Sequence, residues 1–556
     1  MSIRLQLISL NCRYSHSCLA LFYVRHALEK NVSGALVNIE QLTINDPYYE
    51  TLLRISASEA DALFFSVYIW NAEYVRRLIL DLVAIDPERL IVMGGPQAPF
   101  LGELPGSCTV VAGEMEGLDG QFYRDLEQGS LQPVYLAEPG HSFPFPYKDE
   151  DFATELQNRQ VYYESSRGCP FRCSYCLSSI ALKVGHKDIE TVRQELGRIL
   201  QHKPRIIKFV DRTFNDNPER ALQIWRFLVE QSGDTRFHFE MAPDRFTEEM
   251  FEFLETVALD RFQFEIGIQS TNPETLAAVN RSMDVDVAAG NIRRLVKLDT
   301  IHLHVDLILG LPFETTESFR ASFNRVYSLE PHYIQMGLLK VLPETPIRKD
   351  SEAYGMVFCQ QPPYEILANR WLDHQALNRL YLLSECIEAF YNNRYFRTLW
   401  KYLNHRGEEP YSFFESVLTV CKEHQFFNLS HTQKLLAGML CNLAAQRPDK
   451  ELFLDILRYD WLRCGHRFLP EFLEENPLAE VRTMLRQTLP PSMDGFYDSR
   501  GRSEFLKRGV FLELSAEAVE QVGLGKRDRS AITCFLPDQT TGVIKNSQVV
   551  LLGDVT

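Results

Sequence analysis

Two successive series of short apolar runs alternating with helical stretches constrain this chain most. In the first series, Ile3–Leu10, Ala35–Leu42, Ala62–Val67, Arg89–Met93 and Thr109–Ala112 read as strands, with helical patterns near Cys18–Lys30 and Tyr74–Ala84. The second series has strand candidates at Val161–Glu164, Ile206–Val210, Phe237–Met241, Phe262–Ile268, His302–Leu309 and Tyr333–Leu339. Helical Asp188–Gln201, Pro218–Gln231 and Thr247–Val257 lie between them. Strands that alternate with helices predict parallel sheets covered on both faces. The first series fits a doubly wound sheet and the second, with its six β/α units, a partial barrel; both fold types bind ligands at the carboxyl ends of their strands.

A chain of 556 residues exceeds one ordinary core, and the pattern divides it at about 135, 160 and 350. Residues 1–135 form the first domain, and 136–160 reads as a linker, on the signal of the Pro- and Gly-containing run from Leu131 to Phe152 (QPVYLAEPGHSFPFPYKDED). Residues 161–350 form the barrel. Residues 351–556 form a mostly helical extension, with amphipathic Tyr364–Tyr395 and Ser430–Leu457 and short strands at Gly509–Leu514 and within Ile532–Leu552. Trp371, Tyr395, Trp400 and Trp461 could line a cavity there, but aromatics at helical spacing more often build core.

A formal charge of −16 argues against broad nucleic-acid or anionic-membrane binding. No run reaches the length of a membrane span, and MSIRLQLISLNCRYS lacks the apolar stretch of a signal peptide. The twelve cysteines form no disulfide framework, so a reduced, cytoplasmic protein is expected. Cys359, Cys386, Cys421, Cys441, Cys464 and Cys534 show no ligand spacing.

Cys169, Cys173 and Cys176 do, in SSRGCPFRCSYC just after the first barrel strand. One reading is structural zinc with His186 as fourth ligand, although such sites usually use two separated C-x2-C-type pairs. Three unrelated thiols do not account for the tight spacing. The third reading is a [4Fe–4S] cluster on three thiolates, with one iron open to a ligand.

C-x3-C-x-aromatic-C, with Tyr175 as the aromatic, resembles the signature of the radical S-adenosylmethionine enzymes. The likeness extends along the barrel. Phe209–Phe214 resembles the family's F-x-D-x-x-F, and Glu240 and Asp244 end the third strand. Glu265–Ser270 is similar to its G-x-Q-S segment with Asn280-Arg281 following, and Asp306–Thr315 to D-x-I-x-G-L-P-x-E-T. The resemblance implies a cluster on Cys169, Cys173 and Cys176, whose open iron takes the amino and carboxylate groups of S-adenosylmethionine. One electron then yields a 5′-deoxyadenosyl radical that abstracts hydrogen from an unactivated carbon. By position, Tyr175, Asp211, Glu240, Gln269, Ser270 and Arg281 are implied as S-adenosylmethionine contacts. Each can also be read as a strand-end hydrogen bonder or helix cap. Gly310 and Pro312 shape a turn.

A doubly wound domain ahead of such a barrel resembles the cobalamin-binding class of these enzymes. LISLNCRYSHS, FSVYIWN, VMGGPQ and VAGEMEG are similar to its strand-end loops. They nominate Asn11, Tyr14, Ser66, Tyr68, Gly94, Gly95, Gly113 and Glu114 for cobalamin. D-x-H-x-x-G is absent and His16 lies outside that pattern, so cobalamin is expected without a protein histidine beneath the cobalt. A flavodoxin-like module for another ligand or a partner is the alternative for this domain; no G-x-G-x-x-G follows the first strand.

Together these imply a cobalamin-dependent radical methyltransferase acting on an unknown small molecule or peptide, with flavodoxin or ferredoxin as electron donor. The alternatives are cobalamin-assisted cyclisation or rearrangement, a methylthiotransferase acting on transfer RNA, and a sensor with a degenerate barrel. The methylthiotransferases carry a second cluster on three N-terminal cysteines, and the spacing of Cys12, Cys18 and Cys108 departs from theirs. Intact cysteines and strand motifs count against the sensor.

Overall fold

A computed structural model describes residues 2–138, 140, 143–180, 183–231, 233–473, 478–493, 496–497, 500–537 and 547–552. The chain separates into two compact units, residues 1–315 with 338–377, and residues 316–337 with 378–556.

The first unit begins with strands β1 (Ile3–Asn11), β2 (Ala35–Thr43), β3 (Ala62–Ser66), β4 (Leu90–Gly94), β5 (Cys108–Ala112) and β6 (Val134–Leu136). Helices α1 (Leu19–Asn31), α2 (Tyr48–Ser56), α3 (Ala72–Ile85) and α4 (Gly120–Gln128) connect them. The strands form one parallel sheet in the order β2-β1-β3-β4-β5-β6. The order reverses at β1, and β1 and β3 are buried almost throughout, as the continuous apolar runs require of a sheet covered on both faces. β6 falls partly within the stretch read as linker; its three residues VYL hold the sheet's edge. The rest of that stretch is tied down rather than loose. Tyr147 is buried and donates to the Tyr162 carbonyl (2.6 Å), while Asp151 and Arg25 of α1 form a buried two-pronged ion pair (2.5 and 2.6 Å).

The second sheet contains β7 (Val161–Tyr163), β10 (Ile206–Phe209), β11 (Arg236–Met241), β12 (Phe262–Gln269) and β13 (His302–Leu309), parallel in the order β13-β12-β11-β10-β7. Between β7 and β10 lies a short antiparallel pair, β8 (Ser166–Arg167) and β9 (Gly185–His186). Helices α5 (Ile189–Gln201), α6 (Pro218–Glu230), α7 (Glu248–Leu254), α8 (Pro273–Ala278) and α9 (Val285–Leu298) complete the β/α units. A sixth strand, Tyr333–Leu338, follows, and just past it the Leu339 N–H donates to the Leu309 carbonyl (2.8 Å). Along β12 and β13 buried and half-buried residues alternate strictly. The buried set, with Phe239, Phe262 and Phe264, packs on Trp225 of α6, so the polar set faces the barrel interior.

The second unit holds helices whose aromatics form its core. Trp400 packs against Phe413 and Phe414, and Phe323 and Tyr327 meet Phe414. Trp400 and Trp461 are buried, as the core reading expected. Ser430–Leu457 is two helices, Gln433–Ala444 and Lys450–Arg463, because Pro448 interrupts the pattern. Val510–Leu514, Ala531–Pro537 and Ser547–Leu552 form an antiparallel three-stranded sheet. Residues 538–546, inside the expected strand region, lie outside the described residues. No described helix is long and apolar enough to cross a membrane.

Candidate functional site

The cysteine loop leaves the barrel at the carboxyl end of its first strand. Gly168 opens the loop at φ +102°, and a Cβ there would lie 2.3 Å from the Lys183 carbonyl oxygen, so only glycine lets the two sides close. Its far side is fixed to the barrel: the Ser174 N–H donates to the Val279 carbonyl (2.9 Å), and the Ser174 carbonyl accepts from Ile347 N–H (3.0 Å). Asn280 Nδ2 donates to the Arg172 carbonyl (2.9 Å). The Asn-Arg pair therefore serves the loop, and Arg281 continues it. Its Nη1 stands 3.6 Å from Cys173 Sγ, and its Nη2 donates to the Gly267 carbonyl.

Cys169 and Cys173 are buried and Cys176 half-buried. Cys169 Sγ lies 3.5 Å from Thr213 Oγ1. Burial pushes the Cys169 thiol up, and the neighbouring sulfurs of Cys176 and Cys173 add to this. Three such thiols invite a cationic group, and Arg281 stands ready on one. Among the described residues no three His, Cys, Asp or Glu side chains converge on a single ion, and His186 faces Asp216 instead (2.9 Å). A cluster demands a different arrangement, since each thiolate then binds a different iron.

Around the loop, a Cβ at Gly267 would sit 2.1 Å from Gln269 Nε2 and 3.5 Å from Arg281 Nη2. The glycine of G-I-Q-S thus lets the Gln269 side chain, set by a φ of +70°, fold back beside the arginine. Burial raises the Tyr175 phenol, with Arg281 opposing. Glu240 of β11 is pushed up to about 7, by burial first and then by Glu265 and Asp211, against the pull of Arg212 and Lys208. Two nominated residues have partners of their own. Asp211, fully buried, accepts from Ser165 N–H (2.7 Å) and from its hydroxyl, and Ser270 donates to buried Glu314.

At the carboxyl ends of the first sheet, Asn11 Nδ2 donates to the His16 carbonyl (3.1 Å). Ser66 Oγ meets Cys18 Sγ (3.3 Å), and the Tyr68 ring stacks on Trp70 (4.4 Å). Gly94 has open space where a side chain would project, and Gly95, at φ +108°, would bring a Cβ 2.5 Å from the Val67 oxygen. Gly113 at φ +104° closes on Ala137. Tyr14 turns outward, 60% exposed, beneath Arg159 (4.2 Å). It lines a polar cavity of about 580 Å³ with Gln6, Glu40 and Arg54 near the edge strand β2, apart from the other nominated side chains. Glu114 pairs with Arg167 (2.5 Å), and burial still holds its carboxyl above the usual range.

Against this geometry, the model of the radical SAM superfamily matches residues 163–326, spanning the three-cysteine loop, Gln269 and Arg281. The chain aligns with the structure of the cobalamin-dependent S-adenosylmethionine radical enzyme OxsB bound to aqua-cobalamin, over 91% of this chain and 84% of that one, with a TM-score of 0.58 at 15% identity. Residues 163–326 carry a radical SAM superfamily domain, and the chain has the fold of a cobalamin-dependent S-adenosylmethionine radical enzyme. Residues 352–493 match a family described as a protein of unknown function (DUF4080). The 2-(S-pantetheinyl)-carbapenam-3-carboxylate methyltransferase of Streptantibioticus cattleyicolor is 24% identical over 514 residues, covering 75% of this chain and 72% of the relative. The cobalamin-dependent radical SAM methyltransferase TokK of Streptomyces tokunonensis is 26% identical, over 54% of this chain and half of its own length.

Sequence reasoning missed three elements of this enzyme. Asn71 ties the ends of β1 and β3, donating to the carbonyls of Leu10 (3.1 Å) and Ser66 (3.0 Å) and accepting from Tyr68 N–H (2.8 Å). Arg167 gathers Glu114, Glu116 and Glu164 (2.5, 3.3 and 2.7 Å). The barrel interior carries Lys208, His238, Glu265, His304 and Asp306. Only the last group left a sequence signal, the polar positions alternating through FQFEIGIQ and HLHVDLIL.

Proposed function

We propose that this protein is a cobalamin-dependent radical S-adenosylmethionine methyltransferase acting on an unactivated carbon. One juxtaposition carries the reading: the strand-end loop of the first sheet meets the interior of the cysteine-bearing barrel. Tyr162 lies opposite Lys208 on β7, and its hydroxyl is 3.0 Å from Nδ1 of His16, in the loop after β1. Arg159 fastens the same loop by donating to the His16 carbonyl (2.9 Å). Ligands held at the two sets of strand ends would therefore face each other across one space.

In this reading Cys169, Cys173 and Cys176 hold the [4Fe–4S] cluster, with Arg281 offsetting thiolate charge at Cys173. Tyr175, Glu240, Gln269 and Arg281 contact S-adenosylmethionine, while Asp211 and Ser270 act at one remove by fixing Ser165 and Glu314. Asn11, Ser66, Tyr68, Gly94, Gly95, Gly113 and Glu114 line the cobalamin site; the open space at Gly94 suits a bulky macrocycle. Nδ1 of His16 is engaged by Tyr162, and the reading leaves this histidine off the cobalt. When bound, the cluster and S-adenosylmethionine supply a hydrogen-abstracting radical and cobalamin a transferable methyl group. The protein's own task is to orient these groups and exclude water and oxygen. A flavodoxin- or ferredoxin-class donor provides electrons, and a cytoplasmic location fits an oxygen-sensitive cluster and reduced cysteines.

The test needs no substrate. The reconstituted, reduced full chain is incubated with S-adenosylmethionine carrying a ¹³C methyl group, and the bound cobalamin is analysed. Label on cobalt supports the reading; cobalamin that binds and is reduced but never gains label removes methyl transfer and leaves cyclisation or rearrangement.

A further inference from the structure

The barrel interior holds a buried carboxylate oxygen with no hydrogen-bond partner among the described residues, Oδ1 of Asp306. Asp306 of β13 lies on the inward face beside His304 and opposite Gly267 of β12. Buried polar atoms without partners are rare, and a carboxylate oxygen is among the costliest to leave so. Two further carboxylates lie nearby, since Glu240 and Glu265 are register partners on β11 and β12. Glu265 is satisfied by His238 Nε2 (3.2 Å). Arg281 is the fixed cation facing Asp306, but its guanidinium is held by the Gly267 carbonyl and lies against Cys173. Burial, with Glu265 and Glu240 in support, drives the Asp306 carboxyl well above its usual range. Lys208 and Arg212 serve Glu240 and Glu265, so Asp306 Oδ1 is left as the buried acceptor of the barrel interior that lacks a donor among the described residues.

We infer that Asp306 receives a primary ammonium group of the substrate. The inference rests on the radical S-adenosylmethionine reading, which also decides between two sources of that group. The methionine nitrogen of S-adenosylmethionine is a ligand of the open iron in this family and so is no ammonium, and the sulfonium has charge but no N–H to donate to Asp306 Oδ1. The substrate's amine remains. An ammonium with its three donors can satisfy Asp306 Oδ1 and reach a second oxygen.

The experiment uses the full chain carrying oxidised cluster, hydroxocobalamin and saturating S-adenosylmethionine. n-Butylammonium, n-butanol and butyrate serve as probes, with binding read by saturation-transfer NMR. Butylammonium should bind in preference to both others, and Asp306→Asn should weaken it about tenfold or more while leaving S-adenosylmethionine affinity unchanged. Asp306→Glu, which keeps the charge, should retain most of the affinity; a merely structural role would weaken both variants alike. Equal binding of butyrate, or butylammonium binding untouched by Asp306→Asn, overturns the inference. Loss of S-adenosylmethionine affinity in Asp306→Asn also overturns it, by assigning the residue to the cofactor. Cofactor loading of the wild-type chain is measured first. Failure there counts against the enzyme reading, whereas the probe preference is still read on the cofactor-free full chain.

Discussion

Replacing Glu240 by glutamine should make the barrel more stable at pH 8, although it removes a charge from a site rich in charges. The carboxyl rises from 4.5 to about 7, chiefly because burial disfavours its ionised form. Between those values the unfolded chain has released this proton while the folded chain still holds it. Stability from this group is therefore full below pH 4.5 and is lost as pH rises to about 7. A rise of this size corresponds to about 3 kcal/mol, at about 1.4 kcal/mol per pH unit. Glutamine titrates in neither state, so its advantage should be below about 0.5 kcal/mol at pH 4.5 and approach 3 kcal/mol at pH 8. The assay is hydrogen exchange of the Arg236–Met241 amides in the cofactor-free full chain, with protection converted to opening free energy at each pH. A glutamine variant less stable than wild type at pH 8 would refute the reasoning. It would mean that Arg212 and Lys208, which oppose the shift, more than compensate the buried charge.

Gly95→Ala should cost about 1–3 kcal/mol, because its φ of +108° and the Val67 oxygen 2.5 Å from the new Cβ leave no relaxed position; equilibrium dialysis should show weakened cobalamin binding with iron content unchanged. Arg25→Met leaves Asp151 buried without its counter-ion and should destabilise the first unit by about 3–5 kcal/mol. Adding Asp151→Asn should recover part of that loss in urea unfolding. His16→Ala should leave the visible spectrum of bound hydroxocobalamin unshifted, because His16 is engaged by Tyr162; a spectral change would identify it as a cobalt ligand.

Where apolar runs were continuous or strictly alternating, the sequence located the strands closely. His302–Leu309 has the expected bounds, and Phe262–Gln269 runs one residue past the reading. Such segments are decided by burial of one or both faces, which composition records directly. The cysteine loop was legible for the same local reason, since its three cysteines lie within eight residues of one another. What stayed hidden depends on distant partners. Nothing near Asp211 announces that Ser165 will occupy it, and nothing in GEMEG announces Arg167. Val134–Leu136 is too short to show a period and is a strand only because β5 offers an open edge. Compactness also groups residues 316–337 with the C-terminal unit, where the Thr316–Tyr327 helix buries Phe323 and Tyr327 against Phe414. Its sequence alone reads as one more barrel helix.

The central claim is that one chain holds both cofactors. Anaerobic reconstitution with iron, sulfide and hydroxocobalamin, followed by iron analysis and a cobalamin count, tests it most directly. The account predicts about four irons and one cobalamin per chain, with iron lost and cobalamin kept in a Cys169→Ala, Cys173→Ala, Cys176→Ala variant. Iron without cobalamin would contradict the methyltransferase reading, and zinc in place of iron would contradict the whole account.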